Sequence, residues 1–426
     1  MRIDRSVYYR DIPIALFFVS LATVFDAFTF ENINYFFIGA SFLGMIILLS
    51  YHFKTFPRSK NDFIFFIFFY MLVVSLWNYE STRWTSLVYS GFFIITFTFF
   101  TPFIESYFTR TQFRKLLKIV FYMYFAGLLM GQLHISFDAF SPVTGIIGFM
   151  RGSFGTILEK DGLRYFSLSS EPSYAAFIVI VIFYIYFKLD PEKGSLLKGE
   201  NLFLFLLLLY MVYMFKSAYG VMLLGLMLIE QVGFSSTLVV MFCFVIAALA
   251  FVYFNGTEVK AINRVLNVIQ NFDFSQPHTL FAIDFTAYFR VAPVLHYFET
   301  ADLTDVHFLF GNGAGTSRLF IVPEIYGGYT KGEFMGGFMP GFFFDFGVIG
   351  GLLVLLFTFR QIPSWFSFPT AVLALMMLNA NFNTQLFWLM TLCFHLYGYY
   401  KQQETSHQDT SIDPQGDKLV LAGNQI

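Results

Sequence analysis

A succession of apolar runs, each long enough to cross a bilayer, constrains this chain more than any other feature. A hydrocarbon core of about 30 Å takes ~20 apolar residues in a helix. Read in that window, the chain offers about twelve such runs: 11–28, 34–52, 61–77, 86–104, 115–133, 171–189, 201–216, 218–232, 235–254, 336–358, 365–380 and 383–400. The seventh and eighth also read as one tight hairpin around Lys216. The first run is long and lacks a small-residue cleavage site, so it reads as a span and not as a removed leader. Composition agrees. The 426 residues are 57% hydrophobic but only 13% charged, about half the charge of an ordinary soluble domain. This excludes a soluble enzyme and a disordered chain. With 26 Lys+Arg against 28 Asp+Glu there is no basic excess, which excludes a nucleic-acid binder.

Lys and Arg in short loops orient a membrane protein, because they are retained in the cytoplasm. Arg2, Arg5 and Arg10 precede the first run, and alternate loops carry Lys54, Arg58 and Lys60; Arg110, Arg114 and Lys115; Lys188, Lys193 and Lys198; and Arg360. The intervening short loops hold only Arg83. Both termini are therefore expected in the cytoplasm. The expected fold is all-α and polytopic: one transmembrane domain over 1–400, then a disordered cytoplasmic tail over 401–426. Two enlarged loops, about 134–170 and 255–335, fall on the outer side. Loops this long are functional or disordered, and these are rich in Phe, Tyr, Leu, Ile and Gly, which argues against disorder. They also carry cations on the disfavoured side: Arg151, Lys160 and Arg164 in the first, and Lys260, Arg264, Arg290, Arg318 and Lys331 in the second. An anionic ligand at the outer surface would account for the set, and pairing with neighbouring carboxylates would account for any one of them.

The most informative stretch is RYFSLSSEPSYAAF, Arg164 to Phe177. Ser170 reads as an N-cap, Pro172 suits the first turn, and Glu171 favours the positive end of the helix dipole. Capping alone leaves Arg164 unexplained at the same membrane face. In the second loop, FRVAPVLHYFE reads as an amphipathic helix with Arg290 and His296 towards its polar side. GNGAG then reads as a Gly-rich turn in which Gly311, Gly313 and Gly315 let backbone amides approach an oxyanion; a plain turn between short helices explains it equally. No βαβ unit surrounds it, so it is not a dinucleotide fingerprint. His278, His296 and His307 match no zinc spacing, and Cys243 and Cys393 lie in apolar runs, so no metal site or disulfide framework is expected. Inside the runs, ionisable residues are costly and often functional. Asp26, Lys216 and Asp345 are of this kind, while Glu230 sits where it can snorkel.

The span pattern, the two enlarged outer loops and RYFSLSSEPSYAAF together resemble the O-antigen polymerase (Wzy-type) family of bacterial polysaccharide polymerases. The architectural likeness covers most of the chain, and the motif likeness covers 151–177, 214–222 and 289–315. Arg164 with Glu171-Pro172-Ser173 is similar to the family's Arg…Glu-Pro-Ser lead into the sixth span. Lys216-Ser217 is similar to its turn after the seventh, and Arg290 with Gly311–Gly315 to its outer-loop Arg…GxGxG pattern. Arg151–Gly162 fits the family's Arg, ten residues, Gly arm in the first loop, but no Arg in the second loop fits.

The resemblance implies a GT-C-related glycosyltransferase in the bacterial inner membrane, working without a cofactor on undecaprenyl-diphosphate-linked oligosaccharide and partnered by a chain-length-regulating co-polymerase. Glu171, His296, Arg164 and Arg290 are the implied catalytic residues, with Asp284 a further candidate base. Arg151, Lys216, Arg264, Gly311, Gly313, Gly315, Arg318 and Asp345 are the implied binding residues. An O-antigen ligase is the nearest alternative, although KGEFMGGFMPGFF lacks the His of the ligase His-Asn pair. A flippase for lipid-linked sugars is the alternative without chemistry.

Overall fold

The chain is described by a computed structural model. It describes residues 5–23, 29–30, 33–52, 62–133, 155–159, 162–190 except 170, 199–232, 297–320 except 300, 337–362 and 367–410 except 379, with a few isolated positions between.

The described residues are mostly helical. In chain order they form α1 (Arg5–Ala22), α2 (Tyr35–His52), α3 (Phe63–Trp77), α4 (Trp84–Tyr107), α5 (Arg110–Gln132), α6 (Pro172–Lys188), α7 (Gly199–Phe215), α8 (Ala218–Val232), the short α9 (Val306–Phe310) and α10 (Ser317–Phe320), α11 (Phe343–Arg360), α12 (Phe368–Met377) and α13 (Gln385–Thr410). A π-helical turn, Phe338–Phe342, leads into α11. Tyr35–His52, Trp84–Tyr107 and Phe338–Arg360 are long and apolar enough to cross a membrane; α3, α6, α7, α12 and most of α8 are shorter apolar helices. The chain thus has the architecture of an all-α membrane protein. Two small antiparallel hairpins depart from a purely helical expectation: β1 (Thr29–Phe30) with β2 (Ile33–Asn34), and β3 (Gly155–Glu159) with β4 (Gly162–Ser167). The run 235–254 lies outside the described residues.

Helix α6 is enclosed by the described helices around it. Every residue from Ala175 to Tyr186 is buried, so its apolar surface faces protein on all sides. By contrast α2 and α3 leave Phe42, Ile46, Phe66, Phe69 and Val73 exposed on one face, as lipid-facing helices do. Between α4, α11 and α13, Trp388 is buried against Phe93, Phe97 and Phe357 at centroid distances of 5.9, 5.4 and 6.4 Å, and its indole nitrogen donates to the Phe382 carbonyl at 2.7 Å. Large rings filling space in this way use the Phe-rich composition for packing.

Charged residues gather at one end of the bundle. Arg114 bonds Asp190 at 3.2 Å, donates to the Tyr186 carbonyl at 2.9 Å and lies 4.3 Å from the Tyr186 ring. Arg110 donates to the Leu189 and Asp190 carbonyls and pairs with Glu404 at 3.1 Å. Lys118 pairs with Glu200, and Lys188 with Glu230 at 3.3 Å. Glu230 also accepts from the Tyr184 hydroxyl and from the Phe368 amide at the head of α12, so it has structural partners and does more than snorkel. The sequence reading starts a tail at 401, but α13 continues to Thr410 and the Arg110–Glu404 pair ties it down. Residues 411–426 lie outside the described residues.

At the opposite end a knot of uncharged polar side chains joins three helices. Asn34 Nδ2 donates to Gln385 Oε1 at 2.9 Å and to the Thr23 carbonyl at 3.1 Å, and Gln385 Nε2 donates to the Ser20 carbonyl at 2.8 Å. This knot joins the end of α1 to the starts of α2 and α13. Each atom is buried and partnered, which is the condition for placing amides in a low-dielectric interior.

Candidate functional site

Two structures build the end opposite the charged residues. The first is a corner where β4 turns into α6. Strand β4 carries Arg164, in register with Ile157 of β3. The corner is fixed by Ser167, which has a left-handed φ of 53° and whose hydroxyl donates to the Tyr124 carbonyl of α5. Leu168 and Ser169 are buried after it. Glu171 is the N-cap of α6, in extended conformation, and Pro172 occupies the first turn. The cap thus falls one residue later than Ser170, which lies outside the described residues. Pro has no amide hydrogen to waste at that position. The Glu171 side chain does not cap the helix; it is exposed and accepts from Ser173 Oγ at 3.0 Å.

Beside this corner lies the turn between α7 and α8. It consists of Lys216 and Ser217: Lys216 is exposed with φ 48°, and Ser217 is buried and accepts from the Gly220 amide at 3.2 Å. Helix α8 packs on α6 through Gly220, where an added Cβ would lie 2.8 Å from the Ala176 Cβ. That contact is five residues from Glu171 and four from Lys216. Both ionisable residues therefore stand at the same end of adjacent helices, about one turn above the same close approach.

The second structure is the Gly-rich turn, and it serves a break in α11. Gly347 interrupts the helix with φ 67° and ψ 179°, leaving carbonyls of the preceding turn without helical partners. Inside a bilayer such groups must be satisfied by protein. The Phe344 carbonyl accepts from the Asn312 amide and side chain, the Asp345 carbonyl from the Gly313 amide at 2.9 Å, and the Phe346 carbonyl from the Tyr70 hydroxyl at 3.0 Å. The buried Asp345 carboxylate accepts from the Gly315 amide at 2.8 Å, the Ser317 amide at 2.7 Å and the Thr316 hydroxyl at 3.3 Å. The Gly311 amide donates to His307. The amides of Gly311, Gly313 and Gly315 are thus all directed at groups of the chain itself. Helix α3 and the loop after it close the other side: Ala314 donates to Ser75 Oγ, Arg83 donates its amide to the Ala314 carbonyl at 2.7 Å, and Ser81 Oγ donates to the Asn312 carbonyl.

Arg164, Glu171 and Lys216 thus share one end and one side of the bundle. Asp345 and the three glycines form a separate dock at the same end. Arg318 follows the dock in α10 and is half-buried. Arg151, Arg264, Arg290 and His296 lie outside the described residues, as do Asp26, His278 and Asp284. Among the described residues no three His, Cys, Asp or Glu side chains are grouped as metal ligands. Sequence reasoning missed Tyr70, Ser75 and Asn34, because a polar residue within an apolar run or at its edge gives no sign of its distant partner. It also missed a polar chain nearer the charged end, where His395 lies 2.6 Å from both Glu105 and Gln361.

Compared with known proteins, the chain matches no family model, and neither a curated protein nor a solved structure matches it.

Proposed function

We propose that the chain is a lipid-linked-oligosaccharide polymerase of twelve spans and GT-C-related architecture, in the bacterial inner membrane with both termini cytoplasmic. The single observation that carries this reading is the placement of Glu171 and Lys216, both exposed, at the end of adjacent helices opposite the Arg114–Asp190 cluster, with the Arg164 strand leading into the same corner. In this orientation that end is periplasmic. A carboxylate and cations at one lipid–water boundary suit a substrate with a sugar hydroxyl and a diphosphate.

The acceptor is one repeat unit on undecaprenyl diphosphate, and the donor is the growing glycan on the same lipid. An acceptor hydroxyl attacks the donor's anomeric carbon. The bond from that carbon to the diphosphate oxygen breaks, and its electron pair leaves with undecaprenyl diphosphate. Glu171 takes the hydroxyl proton as general base. Arg164 and Lys216, with Arg151 and Arg290 from the loops, oppose the charge that grows on the leaving group. Arg suits bidentate contact with its oxygens. No cofactor enters this scheme. Asp345 and the Gly-rich turn hold the second loop to the bundle and stand one step from the chemistry. A co-polymerase that sets chain length is the proposed protein partner.

The test is the surface polysaccharide of a strain lacking this gene, resolved by length on a silver-stained gel. Single repeat units still attached to core support a polymerase. Loss of all attached glycan with long lipid-linked polymer accumulating outside would make the chain a ligase. Short lipid-linked units trapped on the cytoplasmic face would make it a flippase.

A further inference from the structure

The segment Tyr297–Phe310 has two faces. Its inner face carries Tyr297, 9% exposed, whose ring stacks on Phe308 at 5.5 Å and whose hydroxyl donates to the Phe343 carbonyl at 3.5 Å. Burial pushes that hydroxyl up to about 12, so it remains a neutral donor at the head of α11. Phe298 is 51% exposed, Leu303 74%, Val306 45% and Phe310 37%, with Glu299, Asp302, Thr304, Asp305 and His307 exposed among them; Val306 and Phe310, four residues apart on α9, share one helix face. Large apolar side chains grouped on one exposed face mark a contact surface, whereas single ones do not.

The patch is continuous with the lipid-facing side of α3. The Phe310 and His307 rings lie 6.1 and 6.5 Å from that of Trp77, which is 59% exposed on the last turn of α3. Phe66, Phe69 and Val73 continue the exposed face below it. Trp at the end of an apolar helix marks the headgroup level. Asp302 and Asp305 are satisfied locally. Asp302 accepts from the Thr304 amide at 2.9 Å and hydroxyl at 2.7 Å, which holds its carboxyl below the ordinary range. Asp305 accepts from the His307 amide at 2.9 Å. Such a segment can sink its apolar face and keep its carboxylates in water.

We infer that Phe298–Phe310 is a membrane-surface element whose apolar face enters the headgroup–acyl boundary beside α3, with Trp77 as the shared anchor. The occupant is lipid because the Phe310 ring adjoins that of Trp77, and α3 below it turns Phe66, Phe69 and Val73 outward on the same side. The inference rests on membrane embedding of α3 and is independent of the polymerase reading. It places the Gly-rich turn, which follows directly, at the level of lipid headgroups.

The experiment uses the full chain with Cys243→Ser and Cys393→Ala, reconstituted in phosphatidylethanolamine–phosphatidylglycerol vesicles. Leu303→Cys, Val306→Cys and, as a control at an exposed polar position beside Asp302, Thr304→Cys each carry an environment-sensitive fluorophore. The expected result is blue-shifted emission at 303 and 306, quenched by lipids spin-labelled at the headgroup or upper acyl chain and little affected by iodide, with the reverse at 304. Iodide quenching at all three positions would overturn the inference in favour of a water-exposed loop. Protection of 303 and 306 from both quenchers would overturn it in favour of cover by protein.

Discussion

The Gly315 amide nitrogen lies 2.8 Å from Asp345 Oδ2, and the Ser317 amide lies 2.7 Å from the other carboxylate oxygen. A side chain on the broken turn of α11 thereby gathers donors from a loop about thirty residues earlier. Asp345→Ala would leave two amides unsatisfied, each costing about 1–3 kcal/mol where buried. The expected outcome is a protein several degrees less stable in detergent by thermal unfolding. Asp345→Asn falls between the two, because its amide can face only one donor correctly. An Asp345→Ala protein that kept wild-type stability and lost polymer formation would assign the carboxylate to substrate.

Gly347 and Gly311 meet across the same dock. A Cβ on Gly347 would come 2.2 Å from the Leu309 carbonyl oxygen, and one on Gly311 would come 2.4 Å from the Phe346 Cα. Both residues also have positive φ, of 67° and 96°. The strain alone costs about 1–3 kcal/mol, and the backbone collision adds to it. Gly347→Ala is expected to lower the yield of monodisperse protein on size-exclusion chromatography. Gly225→Ala on α8, where a Cβ meets nothing within 4 Å, is expected to match or slightly exceed the parent, since Ala favours a helix by about 1 kcal/mol over Gly.

How legible this was in the sequence depended on the range of the interaction. Apolar runs report local backbone state, so 218–232 was readable to the residue and coincides with α8. The Pro172 start of α6 was readable within one residue for the same reason. The two hairpins were not: Thr29–Phe30 and Ile33–Asn34 are too short for period-two alternation, and Gly155–Glu159 with Gly162–Ser167 lay inside what read as an outer loop. The Gly-rich turn was visible as a turn, but its use was not, because the carbonyls it satisfies exist only once Gly347 breaks α11. Asp345 was picked out by its cost in an apolar run, and the sequence held no trace that its partners would be Gly315 and Ser317 amides. In the corner, Glu171 and Lys216 were each found by local pattern, whereas their common height comes from Gly220 packing on Ala176.

The charged end gives a prediction about stability. Arg114 and Asp190 are largely buried and 3.2 Å apart. Removing one member of such a pair strands the other, at about 3 kcal/mol. Arg114→Ala should therefore lower the unfolding temperature clearly, also because it loses the Tyr186 carbonyl and ring contacts. Asp190→Asn should cost less, since it retains a partner for Asn201. A double-mutant cycle should show a coupling of about 0.5–3 kcal/mol. Strict additivity would mean that the two side chains do not sense each other.

The sharpest prediction concerns Glu171. Its carboxylate is exposed at the N-cap of α6 and receives a hydrogen bond from Ser173 Oγ, while the helix does not use it as a cap. Glu171→Gln keeps the shape and the acceptor oxygen but removes the basicity. If Glu171 is the base, polymer formation from lipid-linked repeat units in proteoliposomes should fall about 10²–10⁴-fold, with membrane level and unfolding temperature unchanged. Glu171→Asp should recover part of that loss, because it restores a carboxylate set back by one methylene. Ser173→Ala separates positioning from basicity: it removes the bond to Glu171 Oε2 and should lower the rate much less than Glu171→Gln. Equal losses in Glu171→Gln and Ser173→Ala would make the pair an orienting unit, and full activity in Glu171→Gln would move the base into the second outer loop, to His296 or Asp284.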